Sequence, residues 1–302
     1  MDLKSKIILI YGPTASGKSN FAIKLSKKIN GEIINADSMQ VYKELKVLSA
    51  RPSKNKYKKI KHHLFGFHSV KKKFSTGDWL KLANQKIEDI KKRKKVPILV
   101  GGTGLYFKSL TDGLVSIPNI PIKFREKVRS LHKKIGNKKF FSKLIKLDPL
   151  VKNRIKSSDA QRSIRAYEVK SFTKKSIYEW FKKTKSNYQQ KDFYKIYIDF
   201  PKDKLVERIH LRTQEMIKKG AISEVKKFNS LKVRNDKTAY KAIGIKEVNE
   251  YIQKKIKIAQ VIEKISIKTR QYAKRQRTWA NGNMQNWNKI NPIQLTDFLK
   301  KI

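Results

Sequence analysis

Eight residues near the start of the chain have the types and spacing of a phosphate-binding loop, in the pattern G-x-x-x-x-G-K-S/T. They are Gly12, Pro13, Thr14, Ala15, Ser16, Gly17, Lys18 and Ser19. The glycines of such a loop let backbone N–H groups point into a concavity for phosphate oxygens, the lysine adds charge, and the serine hydroxyl can bind Mg²⁺. The pattern predicts a phosphate site, but it does not identify the compound that carries the phosphates.

Two further candidates, Asp37 and Thr103, follow apolar runs at positions where a phosphate site could use them. The run at residues 96–100 ends in Gly-Gly-Thr-Gly rather than in the acid that many P-loop hydrolases use to hold Mg²⁺. The carboxylate of Asp37 could instead bind metal, act as a general base or cap a loop. The hydroxyl of Thr103 could meet the phosphates, although glycine-rich turns after strands are common.

A parallel sheet would bring these residues together. Apolar runs alternate with helical patterns along the chain, which predicts parallel strands joined by crossover helices. The runs lie at residues 7–11, 32–36, 96–100 and 193–200. We therefore assign the fold class α/β: a P-loop NTPase-like parallel sheet flanked by helices, with an inserted all-helical domain. Because parallel strands end at one edge of the sheet, residues 12–19, Asp37 and Thr103 are expected to line one crevice.

The inserted domain is predicted at residues 113–192, which are helical in pattern and rich in lysine. The α/β core then consists of residues 1–112 and 193–302, including C-terminal helices at 205–219, 221–228 and 257–279. A small core is predicted inside the insertion from its larger apolar side chains. They are Phe140, Phe141, Leu144, Ile145, Ile164, Tyr178, Trp180 and Phe181.

The chain is strongly basic, since its 302 residues contain 73 Lys and Arg against 24 Asp and Glu, a formal net charge of +49. This excess attracts polyanions, of which nucleic acid is the commonest, although a lysine-biased composition explains part of it. The absence of cysteine excludes disulfides, cysteine zinc sites and a cysteine nucleophile. No apolar segment reaches the ~18 residues of a membrane span, and no signal peptide is recognised. We expect a cytoplasmic protein with no membrane segment.

Two basic stretches combine cations, amides and aromatic rings on predicted helices. In SSDAQRSIRAYEV, Gln161, Arg162 and Arg165 share a polar face. In TRQYAKRQRTW, three cations form a stripe beside two aromatic rings. These are Arg270, Lys274 and Arg277, with Tyr272 and Trp279. Forked guanidinium donors and rings suit RNA phosphates and unstacked bases, whereas a plain solvated helix face is the alternative for each stretch.

Eight stretches, taken in order, resemble the bacterial tRNA dimethylallyltransferase (tRNA isopentenyltransferase) family. They are GPTASGKS, ADSMQVY, HHLFGF, LVGGTGLYFKSL, DAQRSIRAYEV, ERIHLRTQEMIKKG, AIGIKEV and TRQYAKRQRTW, and they span nearly the whole chain. The resemblance implies an enzyme that transfers a dimethylallyl group from dimethylallyl diphosphate to N6 of the adenosine 3′-adjacent to the anticodon. The loop would then hold the diphosphate of a prenyl donor, with Mg²⁺ as cofactor and without ATP.

The resemblance also implies roles for individual residues. Asp37 would accept the proton from the acceptor amine, while Lys18, Thr103 and Arg212 would stabilise the diphosphate, and Ser19 would bind the metal. Contacts with tRNA are implied for Asp37, Ser38, Met39, Gln40, Thr103, Arg125, Gln161, Arg162, Ser163, Ile164 and Arg165. The expected partners are dimethylallyl diphosphate and the anticodon stem-loop of tRNA, and the chain is expected to be a monomer.

Two other classes of protein stay open from the sequence. A P-loop small-molecule kinase would transfer the γ-phosphate of ATP. A non-catalytic RNA-binding protein would bind tRNA but no prenyl donor.

Overall fold

The computed structural model describes residues 3–57, 60–235 and 237–302. Within these residues six strands form one parallel sheet. They are β1 (Ile7–Tyr11), β2 (Gly31–Asn35), β3 (His62–His63), β4 (Val96–Gly101), β5 (Phe193–Ile198) and β6 (Asn288–Ile290). Their order across the sheet is β3-β2-β4-β1-β5-β6. The predicted α/β class with a parallel sheet is confirmed.

Eleven α-helices are present in the same described residues. They are α1 (Lys18–Lys28), α2 (Thr76–Lys92), α3 (Gly104–Thr111), α4 (Ile122–Leu147), α5 (Ala160–Thr173), α6 (Ile177–Phe181), α7 (Lys202–Lys218), α8 (Ala221–Ser230), α9 (Ile245–Ile252), α10 (Ile258–Asn283) and α11 (Pro292–Lys300). None of them is both long enough and apolar enough to cross a membrane.

Both faces of the sheet are covered, which explains why its central strands read as nearly continuous apolar runs. In β1, Ile7 and Leu9 belong to one apolar cluster, and Ile8 and Ile10 belong to the other. The first cluster packs the sheet against α2 and α3, and the second packs it against α1 and α11. Helix α2 begins after Ser75, which forms a capping box with Asp78.

The register of the central strands brings three loops to one edge of the sheet. Tyr11, the last residue of β1, pairs with Gly101 of β4 on one side and with Tyr197 of β5 on the other. Asn35, the last residue of β2, pairs with Val100. The loops that follow β1, β2 and β4 therefore leave the sheet side by side.

A separate apolar cluster joins α8, α9 and α10 to the segment that follows β2. From that segment it contains Val41, Tyr42, Leu45 and Leu48. Its helical members include Val225, Phe228, Val248, Val261 and Ile265. This cluster gives the chain after β2 a fixed course over the C-terminal helices.

Two compact units are distinguished by the packing of the chain: residues 1–111 with 188–302, and residues 112–187. The smaller unit contains α4, α5 and α6, and α4 is interrupted at Gly136, where φ is 74°. Its core consists of Ile120, Leu144, Val151, Ile155, Ala166, Val169 and Ile177, with Phe141, Ile145, Tyr178 and Trp180 packed against it. Two side chains predicted for that core are not among these packed residues: Ile164 is half-buried, and Phe181 is 47% exposed.

Candidate active site

The phosphate loop follows β1 and opens α1, as its sequence pattern predicts. Gly17 is the residue before the helix and has φ 86°, a left-handed conformation that glycine adopts without strain. Ala15 is also left-handed, with φ 64°, and packs against an apolar cluster that contains Phe200 and Ile209. Ser16 is buried, whereas Lys18 and Ser19 are half-buried at the first turn of α1. The Lys18 Nζ atom donates to the carbonyl of Pro13 at 3.1 Å.

Asp37 lies in the turn that follows β2. Its Oδ1 atom accepts hydrogen bonds from the backbone N–H of Met39 at 2.9 Å and, more weakly, of Gln40 at 3.4 Å. The Asn35 side chain braces the same turn, because it accepts from the N–H of Asp37 and donates to the Asp37 carbonyl, both at 3.0 Å. Since both backbone donors to the carboxylate reach Oδ1, its Oδ2 atom can accept a proton without breaking them.

Thr103 lies beside this turn. Its Oγ1 atom accepts from the N–H of Ser38 at 2.9 Å and lies 3.3 Å from the Ser38 hydroxyl. The loops after β2 and β4 touch so closely that a Cβ atom on Gly101 would lie 2.0 Å from the carbonyl oxygen of Ala36. Glycine is therefore required at Gly101, and the predicted convergence of Asp37 and Thr103 is observed.

Arg212 reaches the phosphate loop from α7. Its Nη2 atom donates to the Thr14 hydroxyl at 2.7 Å. Its Nε atom is buried and has no hydrogen-bond partner within the described residues. A buried guanidinium N–H without an acceptor is unfavourable, so this donor is suited to an anion that enters the site.

The electrostatics of the site favour an anionic ligand. Burial lowers the pKa of Lys18 from 10.5 to about 8, with Asp37 opposing this effect and Arg212 adding to it. Burial likewise lowers the pKa of Arg212 to about 10; Asp37 opposes the change and Arg208 contributes to it. Two half-buried cations thus lie near each other with Asp37 as a nearby carboxylate. Phosphate oxygens would relieve this repulsion and raise both pKa values.

A cleft of about 300 Å³ opens beside these residues. Its polar lining residues are Thr14, Asp37, Ser38, Ser49, Arg212, Lys241, Thr269, Tyr272 and Arg275. Its apolar lining residues are Met39, Leu48, Met216, Ala242, Ile243 and Ile265. One cavity therefore reaches the phosphate loop at Thr14, has Asp37 in its wall and offers apolar side chains as well.

Helix α10 supplies three residues whose positions the sequence pattern did not reveal. Tyr272 lines the cleft, its hydroxyl is hydrogen-bonded to Thr103, and burial, together with nearby Asp37, raises its pKa. Gln276 is buried against the phosphate loop. Trp279 packs on Tyr11 rather than lying free to stack on a base, and a Cβ atom on Gly104 would lie 2.3 Å from its ring.

The basic stripe predicted on α10 is only partly a free surface. Arg270 and Lys274 are exposed. Arg277 is half-buried and is hydrogen-bonded to Tyr197. The helix therefore turns its buried side to the loops and keeps two of the three predicted cations on its outer side.

In the smaller unit, two of the three cations predicted to contact tRNA, Arg125 and Arg165, form ion pairs with a buried carboxylate. Glu168 is 1% exposed, and its Oε2 atom lies 3.1 Å from Nε of Arg125 and 3.3 Å from Nη1 of Arg165. Arg162 has an ion pair with Asp159 at 3.0 Å, yet its side chain remains 72% exposed. Gln161 is exposed, Ser163 is buried and Ile164 is half-buried. Contacts between these residues and tRNA stay a prediction.

Comparison with known proteins identifies the family. A family model described as IPP transferase matches residues 40–283. The tRNA dimethylallyltransferase of Pelagibacter ubique (strain HTCC1062) is 60% identical over 302 residues, which cover 100% of this chain and 96% of the relative. The enzyme of the same name from Rickettsia massiliae (strain Mtu5) is 43% identical over 302 residues, or 99% of this chain and 83% of the relative.

Solved structures agree with this result. A tRNA Δ(2)-isopentenylpyrophosphate transferase from Staphylococcus epidermidis is 32% identical, with a TM-score of 0.68 over 98% of this chain and 96% of that one. A eukaryotic dimethylallyltransferase acting on tRNA is 28% identical, with a TM-score of 0.81 over 95% of this chain and 73% of that one. The chain belongs to the IPP transferase family, that of the tRNA dimethylallyltransferases.

Proposed function

We propose that this tRNA prenyltransferase moves a dimethylallyl group from dimethylallyl diphosphate to N6 of the adenosine 3′-adjacent to the anticodon, releasing diphosphate. One observation carries the proposal: a single cleft is lined by Thr14 of the phosphate loop, by Arg212 and by apolar side chains, with the Asp37 carboxylate in its wall. A prenyl diphosphate has two matching parts, an anionic head and an apolar tail.

The donor would lie with its diphosphate on the loop and its tail among the apolar side chains. Backbone N–H groups at the start of α1, Lys18 and Arg212 supply positive potential at the head. The tail would contact Met39, Leu48 and Met216. As the bond to the allylic carbon breaks, negative charge grows on the diphosphate, so these fixed donors stabilise the transition state more than the ground state.

Asp37 would act as the general base. The exocyclic amine of adenine is not acidic, so its proton is transferred as the new C–N bond forms, and a carboxylate suffices for this step. The hydrogen bonds from the Met39 and Gln40 amides hold the Asp37 carboxylate in place. Thr103 and Tyr272 would position this part of the cleft through their hydrogen bonds to Ser38 and to each other.

The residues present fit Mg²⁺ bound mainly by its substrate. No cluster of three or more His, Cys, Asp or Glu side chains suited to a metal occurs within residues 3–57, 60–235 and 237–302. Mg²⁺ often uses only one or two protein oxygens together with phosphates and water, and the hydroxyl of Ser19, in the first turn of α1, would supply one. Bound there, the ion would neutralise charge on the diphosphate.

The anticodon stem-loop is the acceptor that we propose. The smaller unit carries exposed Gln161 and Arg162, and half-buried Arg125 and Arg165, beside a large excess of lysine. Such surfaces follow phosphates and hold splayed bases, and the target adenine must leave its stack to enter a cleft. A tRNA substrate also leads us to expect that the reaction takes place in the cytoplasm.

The experiment supplies labelled dimethylallyl diphosphate and Mg²⁺ and compares two acceptors at equal concentration. One is an anticodon stem-loop with adenosine 3′ of the anticodon, and the other is free AMP. Label should appear in the stem-loop alone. A matched stem-loop with guanosine at that position should stay unlabelled. Prenylation of AMP with the same efficiency as the stem-loop would contradict the proposed acceptor, and labelling of the guanosine control would contradict the proposed position.

A further inference from the structure

Gln276 connects three structural parts of the active site. Its side chain is 5% exposed on the inner face of α10. The Oε1 atom accepts from the backbone N–H of Thr14 at 2.8 Å, and the Nε2 atom donates to the carbonyl of Gly102 at 2.8 Å. The Gln276 carbonyl accepts from the Tyr11 hydroxyl at 2.9 Å. The amide is therefore fixed in orientation, with its oxygen on the phosphate loop.

The Thr14 N–H that is bonded to Gln276 lies at the end of the phosphate loop where an outer phosphate would be placed. In phosphate loops the lysine reaches the outermost phosphates, and here Lys18 Nζ is hydrogen-bonded to Pro13, the residue before Thr14. Arg212 points to the same end through its hydrogen bond to the Thr14 hydroxyl. The free backbone N–H groups in the first turn of α1 come after Thr14 in the chain, from Lys18 onward.

We infer that Gln276 is a specificity-determining residue that restricts the loop to two phosphates. A third phosphate next to Thr14 would need the N–H that Gln276 Oε1 already occupies. The oxygens of that third phosphate would also face the Oε1 atom of Gln276, and two acceptors without a proton between them repel each other. This inference rests on the proposed binding of a diphosphate donor. It explains how a phosphate loop of the usual pattern excludes nucleoside triphosphates.

The test measures the affinities of the full chain for pyrophosphate and tripolyphosphate, each with Mg²⁺, by calorimetry. Charge alone would favour tripolyphosphate, but we expect the wild-type protein to bind pyrophosphate more tightly. The variant Gln276→Met keeps the length of the side chain and frees the Thr14 amide, so the ratio of affinities should shift towards tripolyphosphate by about tenfold or more. Gln276→Glu keeps an acceptor at Thr14 and should retain the wild-type preference. Exposed Gln253→Met is the matched control.

Each result decides between a selective and a merely structural role. If Gln276 only braces the loop, Gln276→Met will weaken both affinities together and leave their ratio unchanged, which overturns the inference. Tighter binding of tripolyphosphate by the wild-type protein overturns it too, even if the variants do not fold. Absence of pyrophosphate binding to the folded wild-type protein would instead refute the proposed diphosphate site, and this inference with it.

Discussion

Replacing Lys18 with methionine should make the ligand-free protein more stable at neutral pH. The protonated side chain is held in a half-buried site close to Arg212, and its pKa falls from 10.5 to about 8. A lowering of this size corresponds to about 3 kcal/mol against the charged form. Because water still reaches part of the site and screens the charge, we expect about half of this value. Lys18→Met should therefore raise the melting temperature at pH 7 by about 3–6 °C.

The effect has a definite dependence on pH. Between pH 8 and pH 10.5 the unfolded chain keeps the Lys18 proton that the folded chain has lost. The unfolded state then binds more protons, so the stability of the wild-type protein rises with pH across this window. The advantage of Lys18→Met should accordingly shrink between pH 7 and pH 10.

Differential scanning calorimetry at several pH values measures this difference, with Lys24→Met as the control. Lys24 is exposed on the same helix, so its replacement should change the melting temperature little at any pH. Pyrophosphate should raise the melting temperature of the wild-type protein and do so much less in Lys18→Met. An unchanged melting temperature in Lys18→Met at pH 7, or a gain that is the same at pH 7 and pH 10, would refute the electrostatic account.

Three further predictions concern catalysis, acceptor binding and packing. Asp37→Asn should reduce turnover by roughly 10²–10⁴-fold while pyrophosphate affinity stays close to that of the wild type, and undiminished turnover would exclude Asp37 as the base. The double variant Arg162→Ala with Arg165→Ala should raise KM for tRNA. The slope of log affinity against log salt concentration should become shallower by up to about 0.7 for each lost contact. Lys182→Ala with Lys183→Ala is the control, and normal tRNA kinetics in the arginine variant would remove these arginines from the interface. Gly104→Ala should destabilise the protein by about 1–3 kcal/mol, because the new Cβ would lie 2.3 Å from the Trp279 ring, and Gly282→Ala, at open space among the described residues, should cause no loss.

The sequence was most informative where local chemistry determines structure. The phosphate loop and the four long strands each depend on neighbouring residues, so their patterns predicted them. The edge strands β3 and β6 were missed because they have two and three residues and exist only through pairing with β2 and β5. Strands this short carry no period that a sequence could display.

The candidate site was predictable in part for the same reason. Residues 12–19, Asp37 and Thr103 follow strands of one parallel sheet, so their convergence could be deduced. Arg212 entered only through the family resemblance, since nothing local marks an arginine on α7 as facing a loop. Gln276 could not be found at all, because it lies in a basic helix whose visible signal is its cations. Its importance depends on the buried face of α10, which only tertiary packing reveals.

We propose that the phosphate loop holds the diphosphate of a prenyl donor that is consumed in modifying tRNA. One reaction mixture containing the protein, tRNA, dimethylallyl diphosphate, ATP and Mg²⁺ tests this. The diphosphate released, the dimethylallyl groups in tRNA and the ATP remaining are measured over time. We predict one diphosphate released for each group transferred, with ATP unchanged. Consumption of ATP in proportion to product, or release of diphosphate without transfer to tRNA, would contradict the claim.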